Sequence, residues 1–459
     1  MESFSAFFSV IVLFSGCFLT VRLRGFQFTH IGTALRTVLF PKKSAGTRRR
    51  EKGAISSFQA MAAALGGSVG TANIAGTAGA IALGGPGAVF WMWVAALFGM
   101  GVKFSEIVLA VGSREKRGGG WIGGPMLYIE KGLMKKGRIG RRFARPLARC
   151  FAFFGLIAGC IGTPLVQANT IAESGVNMAL AFRPSADPAP VRAVSAAVCA
   201  VLVGAVILGG VRRVGRISEY LVPFMSAVYI LACLSVLWFF RKNLGMALGA
   251  VLRGAFGLRP AAGGLFGYGM LRAIRVGTAR GVYSNEAGVG SAPMAHACAE
   301  TDDPVRQGLF GVFEVFADTL VMCSLTAFAV LASGAFAVGS SSGTAIALAA
   351  FAPVFGKKAA SLFLAASLLL FAYTSVIGWS VYGLRCGEWL FGRKAKLPCC
   401  AAITLCTALG AFIPAARVWR FGEMLNYLMA APNLVALVLL SDDVRREARE
   451  YRLTERRRR

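Results

Sequence analysis

Gly66-Gly67-Ser68-Val69-Gly70-Thr71-Ala72-Asn73-Ile74-Ala75-Gly76 is the stretch whose reading decides the fold. It lies within residues 54 to 102, a run without a single charged side chain, which is too apolar for a solvated loop. Yet its glycines and β-branched or polar residues make a poor helix. Both facts hold together if a membrane-spanning helix is interrupted here. An unpaired peptide group in hydrocarbon costs several kcal/mol, so an unwound segment at membrane depth persists only where protein covers it or where it lines a cavity. Interruptions of this kind build binding sites at the bilayer midplane.

The rest of the chain supports a polytopic, all-α membrane protein. Of 459 residues, 56% are hydrophobic and 15% charged, well below the charge of a soluble domain. Apolar runs of roughly 20 residues or more, the length that spans a bilayer, fall near 5 to 21, 54 to 82, 87 to 112, 147 to 182, 191 to 211, 217 to 240, 265 to 294, 307 to 336, 359 to 384, 397 to 416 and 421 to 441. They give about eleven transmembrane helices. The first run lacks an A-x-A cleavage site and is read as a retained helix.

A net charge of +29 would suit a nucleic-acid partner, but its distribution excludes one. Basic residues crowd alternate connections: Arg22 to Lys52, Arg114 to Arg145, Arg212 to Arg216, Arg393 to Lys396, and the tail from Arg445 to Arg459. The connections at 183 to 192 and 337 to 346 carry few. By the positive-inside rule the amino terminus lies outside and the carboxyl terminus in the cytoplasm, which requires an odd number of helices and agrees with eleven. The location is the plasma (inner) membrane, with membrane lipid as a partner of the basic tail. Nothing in the sequence fixes an oligomeric state. The 11 cysteines show no metal-ligand spacing and there are only two histidines, so no metal other than a coupling ion is expected. No G-x-x-x-x-G-K-[ST] loop is present, which removes ATP as the energy source.

Val69-Gly70-Thr71-Ala72-Asn73-Ile74-Ala75 recurs as Val289-Gly290-Ser291-Ala292-Pro293-Met294-Ala295, with Phe90 and Phe310 still in register. Five helices separate the two starts. An odd number per repeat turns the second copy upside down, giving a 5+5 inverted repeat with one extra amino-terminal helix. The boundaries are 1 to 53 for that helix and its basic loop, 54 to 264 and 265 to 441 for the repeats, and 442 to 459 for the tail.

Two breaks facing each other suit a zwitterion. Peptide N–H groups from Gly70, Thr71, Ala72 and Asn73 supply donors for a carboxylate; carbonyls around Ser284 and Asn285 supply acceptors for an ammonium. Gln167 and Asn169 interrupt an apolar span, either as ligand contacts or as interhelical hydrogen bonds. Trp379 is either a cap on the pocket or a lipid-interface anchor. Thr374 and Ser375 offer adjacent hydroxyls of the kind hard cations prefer, with back-bonding to the helix as the structural alternative. Glu314 and Asp318, spaced i, i+4, share one helix face in mid-span and with Arg280 and Glu286 could form an internal network. Glu106 and Lys103 are read as a structural pair near a helix end. A membrane enzyme would need a catalytic constellation and a channel a symmetric filter, and neither is visible.

Several strings carry a family resemblance: GGSVGTANIAGTAGAIALGGPGAVFWMWVAALFGMGVKFSE at 66 to 106, GGPMLYIEKGL at 123 to 133, GTARGVYSNEAGVGSAPMAHA at 277 to 297 and FAYTSVIGW at 371 to 379. Together with LTVRLRGFQF near the amino terminus they closely resemble the alanine or glycine:cation symporter family. The resemblance implies sodium-coupled import of small neutral amino acids on a fold of the leucine-transporter type, with a sodium ion held by the carbonyls of Gly66 and Val69 and the hydroxyls of Thr374 and Ser375. Where the family has Gly-Thr-Gly-Asn this chain has Gly70-Thr71-Ala72-Asn73, which adds a methyl group at the cradle. If a proton were the coupling ion instead, Asp318 or Glu286 would relay it.

Overall fold

The interruption at Val69 is built by local competition for hydrogen bonds. In the computed structural model, which describes residues 2–40, 55–117, 120–256, 264–338 and 342–458, a capping box of Ser56 and Gln59 starts helix Ser57–Ser68. Val69 then leaves the helical region at φ −71°, ψ 90°. The peptide N–H of Gly70 donates to Asn73 Oδ1 at 2.9 Å instead of to the helix ladder. The chain resumes as a wide turn of π-helix, Ala72–Gly76, and continues as Thr77–Gly84.

The second interruption is the SNEAGVG stretch. Helix Gly264–Asn285 stops, and the chain restarts as Ala292–His296. Between them Glu286, Gly288 and Gly290 take positive φ values of 57°, 87° and 84°. A side chain at Gly290 would place its Cβ 2.7 Å from Phe151 and Pro125, so both the turn and the packing require glycine there.

Every apolar run in the sequence is met by helix. Gly87–Ser113, Gly137–Phe182, Pro188–Ile207, Gly210–Phe239, Pro304–Ala332, Lys357–Phe391 and Ala415–Leu439 are each long and apolar enough to cross a membrane. Glu2–Arg22, Lys396–Gly410 and the two broken helices bring the number among the described residues to eleven. The bundle is tightened by small residues: a Cβ on Gly378 would sit 2.9 Å from the Cα of Gly67, and one on Gly159 2.7 Å from the Cα of Gly383. The broken helices pack inside against Gly87–Ser113, Pro304–Val315 and Lys357–Phe391.

Other elements sit outside the spans. Ile31–Leu39, Pro125–Met134, Leu244–Phe256 and Ser441–Arg458 are further helices, and Glu115–Arg117 pairs antiparallel with Gly120–Ile122. The helix Gly343–Phe355 falls in and beyond a connection read from sequence as bare. It lands on the first break: a Cβ on Gly343 would lie 1.9 Å from the Ala75 carbonyl oxygen. Ser342 and Thr344 hold it there by donating to Glu173 Oε1 at 2.5 and 2.8 Å. The basic residues from Lys42 to Lys52 lie outside the described residues, as do the side chains of Arg456 to Arg459.

Candidate substrate and cation site

Asn73 sits where the two breaks meet. Its Oδ1 accepts from Gly70, and its Nδ2 donates to Asp318 Oδ1 at 2.7 Å and to Ser284 Oγ at 3.1 Å. Ser284 and Thr319 each donate to Asp318 Oδ2 at 2.8 Å, and Asn285 Nδ2 donates to Thr319 at 3.1 Å. All five side chains are buried. No Lys, Arg or His among the described residues forms an ion pair with Asp318, so a buried carboxylate is held by neutral donors alone, each of which is strengthened by its charge. The amide of Asn73 is therefore committed to binding the two breaks together, a role its position in the sequence did not reveal.

The acids expected to share one network have separate direct partners, with Lys103 and Asn285 linking those of Glu314 and Asp318. The helix carrying Glu314 and Asp318 widens into a π-helix at Phe316–Cys323, which breaks the i, i+4 geometry. Asp318 joins Asn73 while Glu314 accepts from His296 Nε2 at 2.5 Å. Glu286 accepts from Ser291 Oγ and from Trp379 Nε1, both at 2.5 Å. Arg280 pairs with Glu423 at 3.0 Å, away from all of them. Lys103 and Glu106 are fully buried well inside helix Gly87–Ser113 and not at its end.

Gly70 faces two candidate contacts. A Cβ there would lie 2.3 Å from Ser375 Oγ and 3.4 Å from Gln167 Nε2. Thr71 Oγ1 donates to Gln167 Oε1 at 2.9 Å, which aligns the Gln167 amide nitrogen beside the unwound peptide groups. Asn169 is not brought to this point: its Nδ2 donates to the carbonyls of Gly410 and Ile413, at 3.1 and 2.6 Å, and takes the interhelical role. Ala72 keeps a negative φ, and its Cβ lies 3.3 Å from where a Cβ on Gly76 would be. Trp379 is buried, with its ring 5.5 Å from that of Tyr382 and its N–H on the second break. That location excludes a lipid-interface anchor.

On the other side of the first break, Ser375 Oγ donates to the Gly67 carbonyl at 3.1 Å, which borrows an acceptor from the helix. Thr374 Oγ1 bonds back to Phe371 O at 2.9 Å. Gly66 is packed against Thr374, and a Cβ on it would be 3.5 Å from Ser218 Oγ. The Ser218 hydroxyl is fully buried and without a hydrogen-bond partner among the described residues. The local donor set of carbonyls and hydroxyls is hard and uncharged, which fits a monovalent cation such as sodium and not a thiophilic metal.

Comparison with known proteins gives one family throughout. The profile of the sodium:alanine symporter family matches residues 2–459. The sodium/alanine symporter AgcS of Methanococcus maripaludis is 39% identical, over 96% of this chain and 93% of that protein. A Bacillus subtilis protein described as a putative sodium/proton-dependent alanine carrier, YrbD, is 36% identical over 86% of this chain and 81% of its own. Among solved structures, MhsT in complex with L-phenylalanine superposes with a TM-score of 0.58 at 14% identity, covering 85% of this chain and 89% of that one. That likeness is one of fold.

Proposed function

Because the chain belongs to the sodium:alanine symporter family, we propose that it imports small neutral amino acids, alanine and glycine foremost, together with sodium by alternating access. The observation that carries this reading is the meeting of two helix breaks at Asn73, Ser284 and Asp318. The substrate carboxylate takes the N–H groups of Thr71 and Ala72 and the amide of Gln167, the N–H groups of Gly70 and Asn73 being bonded within the break. Its ammonium takes carbonyls of the second break around Ser284, where the half-helix dipole is negative, the Asn285 carbonyl being held by Lys103. Trp379, fixed by Glu286, closes one side of the pocket. Sodium binds between the carbonyls of Gly66 and Val69 and the hydroxyls of Thr374 and Ser375, and rigidifies the segment that the substrate needs. Helix Gly343–Phe355 covers the first break from outside.

The energetics suffice. A tenfold sodium gradient supplies about 1.4 kcal/mol and a potential of about 100 mV another ~2.3 kcal/mol per charge. Since the substrate is a neutral zwitterion, one ion supports roughly 500-fold accumulation on that drive. The amino terminus lies outside, the basic connections and helix Ser441–Arg458 face the cytoplasm and its anionic lipid, and the repeats occupy residues 54 to 264 and 265 to 441.

A second reading has one observation in its favour. Asp318 is a buried carboxylate without an ion-pair partner among the described residues, and could carry a proton as co-ion. Uptake of labelled alanine and glycine into proteoliposomes under a sodium gradient alone or a proton gradient alone separates the two.

A further inference from the structure

Lys103 places its amino group in the interior of the bundle. It is 0% exposed, and its ammonium donates to the Asn285 carbonyl at 2.7 Å and pairs with Glu314 Oε2 at 3.3 Å. Asn285 is the last residue of the first half of the second broken helix. The peptide N–H of Glu286 makes the last helical bond, to Val282 O, and that of Ala287 donates to Asn285 Oδ1 instead, so the carbonyls that follow have lost their helical partners. They form the negative pole of that half-helix. Glu314 in turn accepts from His296, the last residue of the second half, whose Nδ1 faces Gln307 Nε2 at 2.7 Å. One ammonium therefore touches the first half directly and the second half through one carboxylate.

Removing a buried charge from such a pair leaves the other uncompensated, which is costly, while replacing both by apolar groups is often harmless. Stability alone therefore does not explain why a lysine stands here. The chemistry of the spot does point to a use: a carbonyl oxygen at a helix C-terminus together with a carboxylate oxygen is a site for a small monovalent cation.

We propose that Lys103 is a fixed internal cation, occupying the carbonyl end of the second break where a mobile ion would otherwise bind. This deepens the symport reading and rests on it: ion loading is confined to the first break, and the second is charged in advance. Lys103 is a positioning residue, acting on the substrate through Asn285.

The test uses the purified protein in detergent and in proteoliposomes. Lys103→Ala opens a cavity beside Asn285 and Glu314, and Lys103→Ala/Glu314→Gln removes the carboxylate as well. Thermal unfolding midpoints are measured in choline, sodium and methylammonium chloride at equal ionic strength, and alanine uptake alongside. In Lys103→Ala the midpoint rises in methylammonium relative to choline, an effect absent from wild type and lost in the double variant, and uptake falls at least about tenfold. The same midpoint for Lys103→Ala in methylammonium as in choline overturns the proposal. Should Lys103→Ala fail to fold, the charge-balanced double variant decides: folded protein with uptake still depressed supports a positioning role, and uptake at the wild-type rate overturns it. If wild type takes up no alanine at all, the symport reading fails, while the methylammonium response still judges Lys103.

Discussion

The side-chain amide of Asn73 reaches across the bundle to Asp318, 245 residues further along the chain, at 2.7 Å. Through Ser284, which bonds to both, the same carboxylate holds the end of the first half of the second broken helix. A shift of either break therefore has a direct mechanical route to the other.

Asp318→Asn tests this junction. The substitution keeps the shape but removes the charge that strengthens the bonds from Asn73, Ser284 and Thr319, each worth about 1.5–3 kcal/mol when the acceptor is ionised. Sodium-driven alanine uptake should drop by more than about tenfold at equal expression. Wild-type uptake would remove Asp318 from the mechanism. Retained exchange with loss of proton-driven uptake would favour the proton reading.

Thr374→Val and Ser375→Ala remove the two hydroxyls beside Gly66 and Gly67. Each should raise the sodium concentration for half-maximal uptake by about tenfold, the equivalent of about 1.4 kcal/mol of lost ligation. The measurement is a sodium titration at saturating alanine. An unchanged midpoint in both variants would assign the hydroxyls to helix packing alone.

Gln167 and Asn169 look alike in sequence and should behave oppositely. Gln167→Ala removes the partner of Thr71 beside Gly70 and should raise the alanine KM about tenfold, from the roughly 1–3 kcal/mol that an unpaired buried group costs. Asn169→Ala frees the carbonyls of Gly410 and Ile413 and should lower the thermal midpoint with little change in KM. The reverse pattern would place Asn169, and not Gln167, at the substrate.

This contrast shows what the chain disclosed and what it withheld. The break at Gly66 to Gly76 was legible because glycine and polar residues in an uncharged span contradict their surroundings, and the second break was legible as its repeat. The eleven helices followed from length and polarity. Partner choice was not legible. Gln167 and Asn169 differ only in which helix faces them, and Lys103 finds its acceptor 182 residues away. Glu314 and Asp318 parted company because π-turns at Phe316–Cys323 change the helical phase, which no residue-type pattern announces. Helix Gly343–Phe355 was missed because 13 residues with Pro353 inside are too short and interrupted to read as a span.

Ala72→Gly gives the first break the Gly-Thr-Gly-Asn pattern that the family resemblance implies. Ala72 already has a backbone conformation open to any residue, so strain is not released; the change removes a methyl from the cradle and costs about 0.5–1 kcal/mol of helix stability. Uptake of glycine, alanine, serine and valine should broaden toward the larger side chains. An identical ranking would show that selectivity is set elsewhere, around Gln167 and Trp379.

The most direct test of the account is uptake of labelled alanine into proteoliposomes holding choline inside and sodium outside, with pH equal on both sides. Sodium symport requires concentrative uptake that collapses when external sodium is replaced by choline and that is stimulated by an inside-negative potential, because the ion alone carries charge. Uptake that is indifferent to sodium and follows an imposed pH gradient would contradict it.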